Sequence, residues 1–221
     1  MKDFATAGSQ RWLQIVIDQH QPIIDSKLQA VLGLPSEDSI LWVSPVRSTK
    51  FREYRDMKAL RQLGVNSLPV RPLNTFWPQR GPVWDGLART KSEQLIFIEA
   101  KANIPEAASP RTRATPESLK LILQSLAEAR HFFAPRATSE WSGTFYQYAN
   151  RLAHHYFFTK VNGLQSHLVF LYFINAEDVS GPTSEAEWRG AIQLLHAALG
   201  LSSNRLPVGV HEVFLDVRLL R

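Results

Sequence analysis

At 221 residues, 44% hydrophobic and 20% charged, the chain has the profile of a soluble globular protein with enough apolar side chains for one sizeable core. It contains no cysteine, which excludes disulfides, thiolate metal sites and cysteine nucleophiles and fits a reducing, cytoplasmic setting. A net charge of +5 is compatible with a polyanionic partner. No uncharged apolar stretch reaches the roughly 18–20 residues of a membrane span, and the opening MKDFATAGSQRW lacks the apolar region of a secretion signal.

In chain order, Ser9 is a candidate N-cap for a helical run, RWLQIVIDQHQPIIDSKLQAVLG, interrupted or kinked near Pro22 and closed by Gly33. SILWVSP reads as a strand or extended segment, and FREYRDMKALRQLG as an amphipathic helix ending at Gly64. Positions 65–82 are rich in Pro, Asn and Trp and form an irregular approach to two strand-like runs, Val83–Ala88 and Gln94–Ala102, joined by a polar turn. NIPEAASPRTRATPES is a surface loop, with Thr115 or Pro116 opening the next helix. Helical periodicity continues through PESLKLILQSLAEARHFF and TFYQYANRLAHHYFFTKV. SHLVFLYFI is a near-continuous apolar strand of the kind buried on both faces. Ser184 and Glu187 make a capping box for SEAEWRGAIQLLHAALG, which Gly200 ends, and HEVFLDVRLL is a last strand. Helices before and after a mixed sheet predict a three-layer α/β/α sandwich, with a parallel crossover between the last two strands. No linker-like segment divides positions 1–221, so one domain is expected, its first 65 residues mainly helical.

The hairpin carries the chemistry. In QLIFIEAKA, Leu95, Phe97, Glu99 and Lys101 share one face and Ile96, Ile98 and Ala100 the other. One face therefore begins apolar and ends in a carboxylate and an ammonium. Antiparallel pairing brings Asp85, on the preceding strand, beside Glu99, with Cβ atoms about 5 Å apart in a direct cross-strand pair. Two carboxylates so close need a proton, a lysine or a divalent cation between them. Mg²⁺ matches this set, since it takes hard oxygen ligands and is commonly held by one or two carboxylates with water and phosphate. A lysine beside such an ion points to metal-assisted phosphodiester hydrolysis. The competing reading is a structural salt bridge at a sheet end.

Asp85, followed after a turn by Glu99-Ala100-Lys101, resembles the signature of the PD-(D/E)XK nuclease superfamily, whose fold is restriction-endonuclease-like. Trp84, not proline, precedes Asp85, and the nearest proline is Pro82. The resemblance implies that Asp85, Glu99 and the Ala100 backbone carbonyl ligate Mg²⁺ or Mn²⁺, and that Lys101 acts near the attacking water. Many members have an acidic residue on a helix before the hairpin; Glu53 is the best match and Asp56 the next, against the alternative of a solvated helix face. Several branches place a Gln on a helix after the lysine strand, and Gln147 resembles it. Gln147, Arg151 and His154 follow the i, i+4, i+7 spacing of one helical face, read as either a polar cleft or a solvated stripe.

Around Glu53, six cations (Arg47, Lys50, Arg52, Arg55, Lys58 and Arg61) face two carboxylates, a composition that suits a phosphate backbone or an ordinary exposed helix. Arg52, Arg55, Arg111, Arg113 and Arg151 are the expected phosphate contacts. Trp77, Trp84 and Trp141 read as packing more readily than as base-stacking platforms. The expectation is a Mg²⁺-dependent nuclease acting on DNA sooner than RNA, with a homodimer as the arrangement suited to cutting two strands. The alternative is an inactive nucleic-acid- or protein-binding module that keeps the fold.

Overall fold

Pro22 has no N–H to donate and is tolerated only in the first turn of a helix, so the opening apolar run divides in two. In the computed structural model, which describes residues 4–110, 112, 114–202 and 206–220, helix α1 spans Gly8–Gln19 and α2 spans Gln21–Leu32. The break falls at His20, Pro22 lies in the first turn of α2, and Ala7 rather than Ser9 is the N-cap of α1. Strand β1 (Ile40–Ser44) follows. The expected amphipathic helix from Phe51 is shorter than its pattern. Phe51 and Asp56 take left-handed backbone angles (φ 55° and 52°), which interrupt helical geometry. Tyr54–Arg55 instead form a two-residue strand, β2, and helix α3 covers only Asp56–Gln62.

The first half of the hairpin also divides. Val83–Trp84 (β3) pair with β2 in a small second sheet, Tyr54 opposite Trp84. After Asp85 the chain enters the main sheet as β4 (Gly86–Thr90) and returns as β5 (Leu95–Lys101). Helices α4 (Pro116–Phe133) and α5 (Tyr146–Tyr156) come next, α5 running on into a π-helical turn over Phe157–Val161. Strand β6 (Ser166–Ile174), helix α6 (Glu185–Leu199) and strand β7 (Val210–Asp216) complete the fold. Ser184 caps the helix as expected, its hydroxyl accepting from the Glu187 N–H at 3.3 Å and donating to its carboxylate at 2.9 Å, while that carboxylate reaches back to the Thr183 N–H at 3.2 Å.

The main sheet has the order β1-β4-β5-β6-β7. Its first three strands are antiparallel neighbours, and β5-β6 and β6-β7 are parallel, with α6 as the crossover between the last two. Alternation along each strand sends side chains to two cores. Ile96, Ile98, Ala100, Val169 and Leu171 pack with Leu13, Val16, Ile24 and Leu28 of α1 and α2. Phe97, Leu168, Phe170 and Tyr172 pack on the opposite face with Leu126, Leu152 and Trp188 of α4, α5 and α6. The chain is thus an α/β protein with helices on both faces of a five-stranded mixed sheet. No helix among the described residues is long and apolar enough to cross a membrane.

Candidate functional site

Asp85 stands where β3 and β4 part. The ladder between β4 and β5 ends at Gly86 opposite Ile98, which puts Asp85 one step beyond, on the level of Glu99. There its Oδ2 accepts the Ala100 N–H at 2.8 Å. In a strand the N–H and C=O of one residue point to the same edge, so the Ala100 carbonyl is aimed toward Asp85 as well. Continuing the ladder by one more residue would set Trp84 opposite Ala100, but Trp84 has left to pair with Tyr54. Splitting the strand at Asp85 therefore opens the sheet edge at the carboxylate.

On the face turned toward α5, Glu99 is 2% exposed and carries a cation on each oxygen. Lys101 Nζ donates to Oε1 at 2.6 Å, and Arg151 Nε and Nη2 both lie 2.6 Å from Oε2. Arg151 is 3% exposed; its Nη2 also donates to the Val83 carbonyl and its Nη1 to Asn150 Oδ1, each at 2.8 Å. The guanidinium lies over the Trp84 ring, 5.0 Å from its centre. Lys101 makes a second bond, to Gln147 Oε1 at 2.9 Å.

Burial and charge set the protonation states. Burial, reinforced by the charge of Glu99 and offset in part by Lys101 and Arg151, pushes the Asp85 carboxyl up to about 7. Burial also works against ionisation of Glu99, but Arg151 and Lys101 together outweigh it and hold its carboxyl below the usual range. Burial would neutralise Lys101, yet Glu99 and Asp85 overcome that and raise its pKa, so Lys101 is an ammonium at neutral pH. In that form it can stabilise negative charge.

A cleft of about 1000 Å³ opens in front of this cluster, and Arg80, Asp85, Glu106, Gln147 and Arg151 are among its lining residues. Glu99 and Lys101 lie one layer behind, around a small pocket with Tyr148, Phe170, Tyr172 and Leu195. Two tethers hold the rim. The Asp56 carboxylate accepts from the Gly81 and Arg80 N–H groups at 2.8 and 3.2 Å, and the Ser109 hydroxyl accepts from the Gln147 N–H at 2.8 Å. A second groove of about 680 Å³, lined in part by Arg55, Lys58 and Arg61, shares Trp77, Pro78 and Gln79 with the cleft.

Asp85, Glu99, Lys101 and Gln147 are thus gathered at one place. Glu53 is not with them: it sits in the non-helical stretch before β2, accepts from Gln10 Nε2 of α1 at 2.8 Å, and does not line the cleft. The helix that was to carry it begins three residues later. Arg151, expected as a phosphate contact, lines the cleft but is nearly buried and is paired with Glu99. Arg52 and Arg55 are exposed as expected, though neither is helical. Arg111 and Arg113 lie outside the described residues. His154, third on the helical stripe, is neither cleft-lining nor solvated. It packs against Trp77 and makes T-shaped contacts with Phe76 and Trp84, and burial lowers its pKa to about 3. Trp77, Trp84 and Trp141 are all buried.

Sequence reasoning missed the pairing of Arg151 with Glu99 and the tethering roles of Asp56 and Ser109. The one signal for the first was that a buried Glu99 needs a cation from an opposing layer, and Arg151 is one helical turn from Gln147. Among the described residues, no group of three or more His, Asp or Glu side chains is assembled to hold a metal ion. Glu99, expected as a ligand beside Asp85, has both oxygens on cations, Lys101 and Arg151; the oxygens disposed toward an ion are those of Asp85 and the Ala100 carbonyl, a sparse donor set of the kind Mg²⁺ completes with water and substrate phosphate. Comparison with protein-family models, with curated proteins and with solved structures returns no match.

Proposed function

We propose that the protein is a metal-dependent nuclease of the PD-(D/E)XK type, with a restriction-endonuclease-like fold, hydrolysing phosphodiester bonds in DNA. The observation that carries this reading is the grouping at the split strand: Asp85 held on the Ala100 N–H, Glu99 and Lys101 ion-paired beside it, and Gln147 on the lysine. Asp85 and the Ala100 carbonyl would hold Mg²⁺ or Mn²⁺. Such an ion would supply a water of lowered pKa and a counter-charge for phosphate oxygens.

The chain's own residues supply the rest. Lys101 sets a fixed ammonium against the charge that develops on the phosphate, and Gln147 and Glu99 together fix where that ammonium points. Glu99, ionised and doubly paired, acts as the anchor for both cations. Arg55, Lys58 and Arg61 line the groove adjoining the cleft, where they would follow the phosphate backbone away from the cut.

Cleavage of linear duplex, single-stranded and supercoiled DNA, and of RNA, with Mg²⁺ or Mn²⁺ tests the reading. Cutting by the wild type that stops in EDTA and in Lys101→Ala is the expected result. Unchanged cutting by Lys101→Ala would reject this site. One observation favours a second reading: both oxygens of Glu99 are already occupied by cations. An inactive module that keeps the fold would bind nucleic acid equally well with and without chelator and cut nothing.

A further inference from the structure

Arg151 stands between Glu99 and the cleft. It lines the cleft while Glu99 does not, so a cation entering from solvent meets the guanidinium before it meets the carboxylate. Both of its nitrogens facing Glu99 lie 2.6 Å from Oε2, the length of a strong charge-assisted contact. Nη2 also donates to the Val83 carbonyl and Nη1 to Asn150, and its flat face rests over Trp84. A planar fork held on three sides is fixed in orientation, unlike a lysine on a flexible stem. Two cations therefore match the Glu99 carboxylate before any metal arrives.

From this arrangement we infer that the Arg151 guanidinium is a built-in cation, filling at Glu99 the place that a second divalent ion would otherwise take. The inference rests on the metal-dependent reading above. A single divalent ion is then left to Asp85 and the Ala100 carbonyl, and its charge is balanced by the substrate's phosphate. Removing the guanidinium exposes the Glu99 carboxylate to the cleft and frees its Oε2, leaving Lys101 on Oε1. The vacated place then takes an ion of its own. Arg151 is in this sense a positioning residue for Glu99 and a substitute for metal.

The test counts Mn²⁺ bound per chain, by calorimetry and by the loss of the free-ion electron paramagnetic resonance signal, with Mn²⁺ alone as the probe. Arg151→Met keeps the apolar stem over Trp84 and removes the charge. Arg151→Gln is a second neutral variant in case the first does not fold, as judged by circular dichroism. The expected result is one ion in the wild type, one in Arg151→Lys, and one more than the wild type in a folded neutral variant. An unchanged count in the neutral variants, including none throughout, overturns the inference, as does a count of two in the wild type. Cleavage by the wild type is measured in parallel. One bound ion without cleavage rejects the nuclease reading and leaves the place of Arg151 intact, whereas cleavage with no gain in ions rejects only the role of Arg151.

Discussion

A carboxylate as buried as Glu99 stays ionised only if its oxygens are matched by cations, because an unpaired buried charge costs several kcal/mol. Removing it leaves Lys101 and Arg151 without their counter-ion, and breaking a buried pair in this way costs about 3–5 kcal/mol. Glu99→Ala is therefore expected to lose that much stability in urea denaturation. Adding Arg151→Met to Glu99→Ala should cost less than the two separate losses together, by at least about 1 kcal/mol, since the second change removes an already orphaned charge. Strict additivity would mean that the two side chains do not depend on each other. The same residues mark what the sequence could disclose. Asp85, Glu99 and Lys101 were legible because strand alternation has a fixed period and the hairpin register follows from it. Gln147 was legible through the resemblance and through the polar stripe of its helix, and the pairing of Arg151 was not legible at all. Helical spacing places Arg151 on a face but cannot say which layer that face meets.

Elements were readable where a local rule fixes them and misread where backbone angles override the pattern. The N-cap at Ser184, the apolar run of β6 and the glycine stops at Gly33 and Gly200 are local rules, and all appear as expected. The helix expected from Phe51 fails because two residues within the pattern adopt left-handed angles that hydrophobic periodicity does not encode. The two glycine stops also give a contrast that can be measured. Both are left-handed, at φ 64° and 69°. A Cβ at Gly33 would meet nothing within 4 Å, whereas one at Gly200 would run into the Ala137 Cβ. Gly33→Ala then costs only the left-handed strain, about 1–2 kcal/mol. Gly200→Ala adds a clash that displaces the chain after α4, so its loss in thermal or urea unfolding should be clearly larger. Equal losses would show that the segment around Ala137 yields freely.

At the scale of the whole molecule, the helical layers bury histidines as well as hydrocarbon. His154 lies among aromatic rings, His155 bonds the Val208 carbonyl at 3.0 Å, and His196 bonds the Tyr148 hydroxyl at 2.8 Å. Burial lowers their pKa values to about 3, 4 and 4 from an ordinary 6.5. Between pH 6.5 and 4 the unfolded chain takes up protons on these rings while the folded chain does not. Stability therefore falls as the pH drops through that window, by up to about 1.4 kcal/mol per pH unit for each histidine. Asp85 opposes the trend. Its carboxyl is raised to about 7, so the folded chain holds an extra proton there below neutral pH, which favours folding on acidification. Glu212 is raised by burial as well, while His167 and His211 join the lowered histidines, so two carboxyls stand against five histidines and the histidines stay in control. Urea midpoints measured from pH 7.5 to 4.5 should hold near neutral pH and then decline steadily below 6.5. His154→Gln, which cannot take up the proton when unfolded, should make that decline shallower by about 1 kcal/mol per pH unit. A midpoint that rises on acidification would mean that the carboxyl at the split strand, and not the histidines of the helical layer, governs the response of the fold to pH.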